Sequence, residues 1–147
     1  MERSHNGGHH NNHNNAFTRI IDLRPSIERI NTVFIILEKG KPDKVPDHAA
    51  TPICYALVAD QTASVNLQLW GDEVAAFDPG DIVKLTGGYF TFHKSAMFLK
   101  AGRRGKIERV GEFCMLFSEA PNLSRVQWLP DPKTNQLAPV IEPHHPQ

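Results

Sequence analysis

The feature that most constrains the fold of this chain is a strict alternation of polar and apolar side chains in residues 64–72, SVNLQLWGD. Successive side chains of a β-strand point to opposite faces, so a period of two predicts a half-buried strand. The predicted core face consists of Val65, Leu67 and Leu69. The predicted solvent face consists of Ser64, Asn66, Gln68 and Trp70. A tryptophan at the end of a polar row is a candidate contact for a flat ligand.

Several other segments also have the composition of β-strands. They are NTVFIILEKG (31–40), ICYALVAD (53–60), DIVKLTGGYFTFHKS (81–95) and AMFLKAGRRGKIERVGEFCML (96–116), with a bend or bulge predicted at Gly87 and Gly88. Residues 71–81 leave room for one helical turn at most. About five strands with so little helix predict an all-β protein built as a small antiparallel barrel. The pattern favours a five-stranded OB-fold barrel and leaves an SH3-like barrel as the alternative.

The two ends of the chain differ from its middle. Residues 1–16 are rich in His and Asn and poor in apolar side chains, which predicts a disordered arm. A weak transition-metal site on the arm's histidines is the alternative. Residues 120–147 contain six prolines, which predict a Pro-rich flexible tail. Residues 17–119 are therefore the predicted folded domain.

Composition limits the class of protein further. The chain has 147 residues, of which 40% are hydrophobic and 22% charged, as in soluble globular domains. Its formal net charge is zero, so the whole-chain charge indicates no nucleic-acid or membrane partner. Two cysteines are too few for a disulfide framework or a cysteine zinc site, and they fit a reducing compartment. With no secretory signal or membrane-spanning run, we expect an intracellular protein with no membrane partner, metal or cofactor.

The alternation continues into the later predicted strands and places flat side chains on one outer face. If the aliphatic side chains face the core, this outer face collects four rings and a cation: Trp70, Tyr89, His93, Phe98 and Lys100. Phe90 and Phe92 fall on the opposite face. Rings that stack on bases, beside cations that contact phosphates, are typical of surfaces that bind single-stranded nucleic acid. A duplex hides its base faces, so a stacking surface favours single strands.

Positive charge concentrates in the same part of the chain. Residues 81–110 contain seven basic side chains and two acidic ones, a local excess of five positive charges. The run AGRRGK (101–106) is predicted to be a glycine-rich connection suited to a phosphate backbone. The predicted nucleic-acid-binding residues are therefore Trp70, Tyr89, His93, Phe98, Lys94, Lys100, Arg103 and Arg104.

Four segments of the chain resemble a known family. VADQTASVNLQLW (58–70), PGDIVKLTGGY (79–89) and GEFCMLFSEAPNLS (111–124) are similar to the SOSS-B family, the DNA-binding component of the SOSS (sensor of single-stranded DNA) complex. IIDLRPSIERIN (20–31) also resembles the N-terminal segment of that family and of archaeal single-stranded DNA-binding proteins. The resemblance covers about residues 19–125. It implies one OB-fold domain that binds single-stranded DNA, with a nuclear role in the DNA damage response and repair. The implied protein partners are an Integrator complex subunit 3-like scaffold and a small third SOSS subunit.

The resemblance also assigns roles to individual residues of the outer face. Trp70 and Tyr89 match the family's base-stacking aromatics. His93 stands where the family usually has phenylalanine, and Lys100 stands where it has tyrosine. Phe98 shares the face of Lys100 and is expected to supply the ring that is missing there.

Outside the outer face, the resemblance bears on oligomerisation and on protein partners. Ala56 and Ala96 replace cysteines that some relatives carry, so redox-driven oligomerisation is not expected. Glu112 and Phe113 match the region that contacts the large scaffold, and a last barrel strand without a partner is the alternative.

Three alternatives to binding single-stranded DNA remain open at this point. One is an RNA-binding OB module, because no sequence feature indicates whether the site accepts or rejects the 2′-hydroxyl group of RNA. Another is an OB-fold scaffold whose outer rings bind protein, with Trp128 of VQWLP as an exposed anchor. The third is an enzyme. However, the carboxylates of this chain are scattered along the sequence, which contains no nucleophile triad, phosphate-binding loop or metal-ligand spacing. We therefore expect no catalytic activity.

Overall fold

The computed structural model describes residues 17–44, 51–93 and 96–141, and the predicted N-terminal arm (1–16) lies outside the described residues. A short 3-10 helix at Ile20–Asp22 comes first. The strands are β1 (Ile30–Lys39), β2 (Asp43–Lys44), β3 (Pro52–Ala59), β4 (Ser64–Trp70), β5 (Asp81–His93), β6 (Ala96–Glu112), β7 (Gln127–Pro130) and β8 (Leu137–Val140). A four-residue helix, α1 (Glu73–Ala76), follows β4 and agrees with the prediction of one helical turn at most. The protein is therefore all-β in class.

Five of the strands pair in a closed order. β1 pairs with β5, β5 with β6, β6 with β4 and β4 with β3, and β3 returns to pair with β1. All these pairs are antiparallel except β4–β6, which are parallel and meet at Leu67 and Leu99. The two-residue β2 adds to the edge of β3. This order is that of an OB-fold, a five-stranded Greek-key barrel, which confirms the predicted fold class.

The alternation in β4 correctly predicts its three apolar core residues, but Ser64 and Gln68, which it assigns to solvent, are also buried. Val65, Leu67 and Leu69 are fully buried, and Trp70 is exposed. The core also includes Phe34 of β1. Further large buried side chains come from β1, β3, β5 and β6, from the 3-10 helix and from the residue after it: Ile20, Leu23, Ile30, Ile36, Val58, Leu85, Met97 and Leu99. Burial of this apolar surface is the main contribution to the stability of the barrel.

A bulge in β5 reverses which side chains face the core. Before it, Val83 and Leu85 are fully buried, whereas after it the even-numbered Phe90 is buried. The register against β6 shifts between Thr86 and Gly88, so the bulge predicted at these glycines is confirmed. Gly87 has a φ of 67°, a conformation that favours glycine. Its N–H donates to Asn31 Oδ1 over 3.0 Å, which ties the bulge to β1.

The predicted flexible tail is wrong for residues 121–141. Leu123 is fully buried in the core, and β7 and β8 form an antiparallel hairpin. Trp128 is half-buried and not an exposed anchor. Its ring centroid lies 5.4 Å from that of Phe90, and its Nε1 donates to Leu123 O over 3.0 Å. Proline is tolerated here because a two-stranded hairpin has outward-facing edges.

Candidate nucleic-acid interface

Five rings lie on the outer side of β3, β4, β5 and β6, and this set is called the ring face: Tyr55, Trp70, Tyr89, His93 and Phe98. The strand pairings bring these rings together, since Tyr55 faces Gln68 across β3–β4 and Thr91 faces Phe98 across β5–β6. Four of the five were predicted from sequence, and Tyr55 was not. OB-folds bind oligonucleotides on the face of their second and third barrel strands, here β3 and β4, and on loops that include the one between the last two strands, here β5 and β6.

Trp70 occupies the end of β4 because the chain turns immediately after it. Gly71 has a φ of 65° and its N–H donates to Pro52 O over 2.9 Å, which closes the turn against β3. The backbone N–H of Trp70 donates to Glu73 Oε1 over 3.0 Å. Burial raises the pKa of the Glu73 carboxyl, and this hydrogen bond opposes the shift. Trp70 as a whole residue is 41% exposed, so it lies partly open to solvent.

Tyr89 faces outward because of the bulge that precedes it. It pairs with Lys100 of β6, whose Nζ lies 5.2 Å from the centroid of the Tyr89 ring. That distance is within the range of a cation–π contact. Gly102 packs against the same ring, since a Cβ at this position would lie 3.2 Å from Tyr89 Cε1. Tyr89 is thus held beside two parts of β6, and Lys100 places a cation over its ring.

Phe98 corrects a prediction in part. It lies on the outer side, as expected, but it is only 7% exposed and therefore offers little surface of its own. Its ring centroid is 5.5 Å from that of Tyr55 and 6.0 Å from that of His93, both in edge-to-face geometry. Phe98 therefore supports two neighbouring rings and does not replace the ring missing at Lys100. His93 is exposed at the end of β5.

Arg103 and Arg104 project from a large bulge in β6. Ala101 pairs with Gly88 and Lys106 pairs with Thr86, so residues 102–105 stand opposite the single residue Gly87. A Cβ at Gly105 would lie 2.6 Å from Gly87 O, so only glycine fits at the base of this bulge. The predicted connection at AGRRGK is thus a bulge within one strand. Both arginines are exposed, and they make no ion pair among the described residues.

The other described basic side chains of residues 81–110 are less available for contacts with phosphates, because they interact with other groups of the protein. Arg109 lies 3.4 Å from Asp81 Oδ1 and 3.3 Å from Glu112 Oε2. Lys106 lies 3.6 Å from Glu108 Oε1. Lys84 lies over the ring of Phe17, 5.8 Å from its centroid. Lys94, which was predicted to bind nucleic acid, lies outside the described residues. Among the described residues, the basic side chains that flank the ring face without an ion pair are therefore Lys100, Arg103 and Arg104.

The structure also shows side chains that the sequence analysis placed incorrectly. Tyr55 is 39% exposed and belongs to the ring face, and its hydroxyl accepts a hydrogen bond from Gln68 Nε2 over 3.1 Å. Phe92, assigned to the core side with Phe90, is 53% exposed at the end of the β5–β6 hairpin. Ser64, assigned to solvent, is fully buried because residues 119–123 cross β4 there, and Ser64 Oγ donates to Glu119 O over 2.6 Å.

Glu112 and Phe113 lie at the other end of the β5–β6 hairpin from the rings. Glu112 is the last residue of β6 and pairs with Asp81, the first residue of β5. Phe113 follows with a φ of 64° and is 73% exposed, while its N–H donates to Gly80 O over 2.9 Å. The predicted last strand thus ends before Phe113, and Cys114 is exposed. These residues form a surface separate from the ring face.

Burial raises the pKa of the Cys54 thiol, and nearby Lys39 only partly opposes this, so the thiol stays neutral. No group of three metal-ligating side chains occurs among residues 17–44, 51–93 and 96–141. Within the same residues, no helix has the length and apolar character that a membrane span requires.

A closed five-stranded barrel with rings and cations on its outer face defines the class of this protein as an OB-fold module with a surface suited to single strands. Residues 18–109 match the family model of single-stranded DNA binding proteins described as Ssb-like, OB fold. Because this match spans more than half of the chain, the protein belongs to the Ssb-like OB-fold family of single-stranded DNA binding proteins.

Individual relatives agree with this assignment. The chain is 28% identical over 95 residues to the single-stranded DNA binding protein Ssb of Saccharolobus solfataricus, an alignment that spans 64% of each chain. A solution structure of a hypothetical protein of Arabidopsis thaliana has a TM-score of 0.67 at 22% identity, covering 80% of this chain and 88% of that one. The replication factor A related protein of Methanobacterium thermoautotrophicum has a TM-score of 0.53 at 12% identity, covering 66% and 93%. Both solved structures support the fold.

Proposed function

We propose that this protein binds single-stranded DNA by stacking bases on the ring face while Lys100, Arg103 and Arg104 contact phosphates. The observation that carries the proposal is the position of Tyr89. Its ring lies beside Gly102 at the start of the β6 bulge and under Lys100, so stacking surface and cations are adjacent. Base–aromatic stacking is tolerant of sequence because every base has a π-face. Membership of the Ssb-like family and the similarity to the Saccharolobus protein support the same substrate.

The proposed activity is binding without catalysis. Stacking and phosphate contacts need no nucleophile or metal, and the buried neutral Cys54 is unsuited to nucleophilic chemistry. Fluorescence anisotropy with labelled single-stranded DNA, the matching RNA and the matching duplex tests the substrate class. We expect single-stranded DNA to bind most tightly and the duplex most weakly, since base pairing hides the stacking surfaces. Tighter binding of RNA than of DNA would replace the proposal with an RNA-binding module.

We further propose that the protein acts in the nucleus as the DNA-binding component of a SOSS-like complex in DNA repair. The support is the resemblance of residues 19–125 to the SOSS-B family. A second observation favours a protein partner: Phe113, Leu116 and Phe117 are large apolar side chains exposed in one short segment after β6. An exposed apolar cluster of this kind is typical of a protein-binding surface. Co-purification with an Integrator complex subunit 3-like scaffold and a small third subunit, and imaging of the tagged chain, test this assignment.

A further inference from the structure

A groove with a volume of about 440 Å³ continues the ring face away from the arginine bulge. Its floor is formed by three residues in register across adjacent strands, because Leu57 of β3 faces Glu38 of β1 on one side and Asn66 of β4 on the other. Tyr55, two residues before Leu57 on the same face, forms one end. The segment at residues 119–125 forms the opposite wall, where Glu119 and Arg125 line the groove.

The polar groups of this groove are available to a ligand. The half-buried side-chain amide of Asn66 makes no hydrogen bond within the described part of the chain, although its backbone N–H donates to Ser124 Oγ over 2.8 Å. Glu38 and Glu119 form no ion pair among the described residues, with Arg125 or otherwise. An amide offers both a donor and an acceptor, and a carboxylate offers acceptors only. The groove therefore presents one amide and two carboxylates around the apolar side chain of Leu57.

The charge of the groove favours the base of a nucleotide over its phosphate. Two carboxylates against one guanidinium disfavour a phosphate, which would meet net negative charge. A base is neutral, and its exocyclic amino group is a donor that carboxylates accept. The ring of Tyr55 is fixed for stacking, since Phe98 packs against it and Gln68 Nε2 donates to its hydroxyl. The groove thus fits a base that stacks on Tyr55 with its polar edge toward Asn66.

We infer that this groove is a base subsite that prefers a base with an exocyclic amino group, cytosine in particular, over thymine. The inference rests on the proposed binding of single-stranded DNA and adds a preference that stacking alone does not provide. Cytosine N4 donates to Glu38 or Glu119, whereas thymine places the acceptor O4 at the same position and meets the carboxylates unfavourably. Arg125 also lines the groove, and we expect it to contact the phosphate next to the bound base.

Anisotropy titrations of the full chain with oligodeoxycytidylate and oligodeoxythymidylate of equal length, near neutral pH, test the inference. Both strands consist of pyrimidines, which have rings of the same size. A difference between their dissociation constants therefore reports contacts with the hydrogen-bonding edges of the bases. We expect the cytosine strand to bind at least about fivefold more tightly, the lower end of the range for discrimination by base-edge contacts. Asn66→Ala and the double variant Glu38→Gln with Glu119→Gln should each bring the ratio of the two dissociation constants toward one.

Two controls make the result specific to the groove. Glu28→Gln removes one negative charge from an exposed residue outside the groove and should change both dissociation constants by the same factor, leaving their ratio unchanged. Tyr55→Phe keeps the ring, whereas Tyr55→Ser removes it and should weaken binding of both strands. Equal affinity for the two strands, or a preference that survives the Asn66 and glutamate variants, would overturn the inference and leave the proposed function standing. Failure of the unmodified protein to bind either strand would instead overturn the proposed function.

Discussion

The arginine bulge of β6 leads to a quantitative prediction about salt. Arg103 and Arg104 are exposed and make no ion pair among the described residues, and Lys100 lies over the Tyr89 ring. Arg109 and Lys106 are held by carboxylates and are expected to contribute little. Each phosphate neutralised on a single strand adds about −0.7 to the slope of log K against log salt, so three contacts predict a slope of roughly −2.

Replacing both arginines tests this assignment. Arg103→Ala with Arg104→Ala should make the slope shallower by about 1.4, two phosphate contacts at the same increment, and should weaken all sequences alike. The fold should be unaffected because both side chains project into solvent. The assay is anisotropy with labelled single-stranded DNA over a series of salt concentrations. Lys133→Ala, which removes a charge between β7 and β8, is the matched control and should leave the slope unchanged. An unchanged slope in the double arginine variant would refute the assignment of these side chains to phosphates.

Three further predictions concern individual side chains. Trp70→Ala should weaken binding by about 1–3 kcal/mol, the cost of one lost base stack, while the salt slope and the melting temperature stay nearly constant. A large fall in melting temperature would show that Trp70 is a packing residue. Phe98→Ala should lower the free energy of unfolding by about 3 kcal/mol in chemical denaturation, since the ring is buried under Tyr55 and His93. An unfolding free energy equal to that of the unmodified protein would contradict the supporting role. Glu112→Arg with Phe113→Ala should abolish co-purification with the proposed Integrator-type scaffold and spare DNA binding, and loss of both activities would show that the two surfaces are not separate.

Sequence patterns predicted the core face of a strand where apolar side chains alternate with polar ones. In β4, the period of two gave the core side chains Val65, Leu67 and Leu69 directly, whereas the burial of Ser64 and Gln68 on the other face was not predicted. In β3 both faces carry apolar side chains, because Tyr55 and Leu57 line the outer surface while Cys54 and Ala56 are buried. Alternation could not distinguish these faces, and Tyr55 was therefore missed.

Other errors arose where tertiary contacts decide the structure. The burial of Phe98 depends on Tyr55 and His93, which come from two other strands. The prolines after residue 120 indicated a flexible tail, yet Leu123 enters the core and Trp128 packs on Phe90. One local signal for the β7–β8 hairpin was present in the turn residues, since Asp131 Oδ1 accepts a hydrogen bond from Lys133 N over 2.9 Å and Asn135 has a φ of 60°. The turn residues between two short apolar segments therefore indicated the β7–β8 hairpin, whereas the proline content wrongly indicated a flexible tail.

The central claim is that bases stack on the ring face, and the fluorescence of Trp70 tests it most directly. The chain has two tryptophans, and Trp128→Phe keeps an aromatic ring against Phe90 while leaving Trp70 as the only tryptophan. Titration of this variant with single-stranded DNA should quench the Trp70 emission in step with binding measured by anisotropy, whereas the matching duplex should quench it little. DNA binding that leaves the Trp70 emission unchanged would contradict the account, because the strand would then lie elsewhere on the protein.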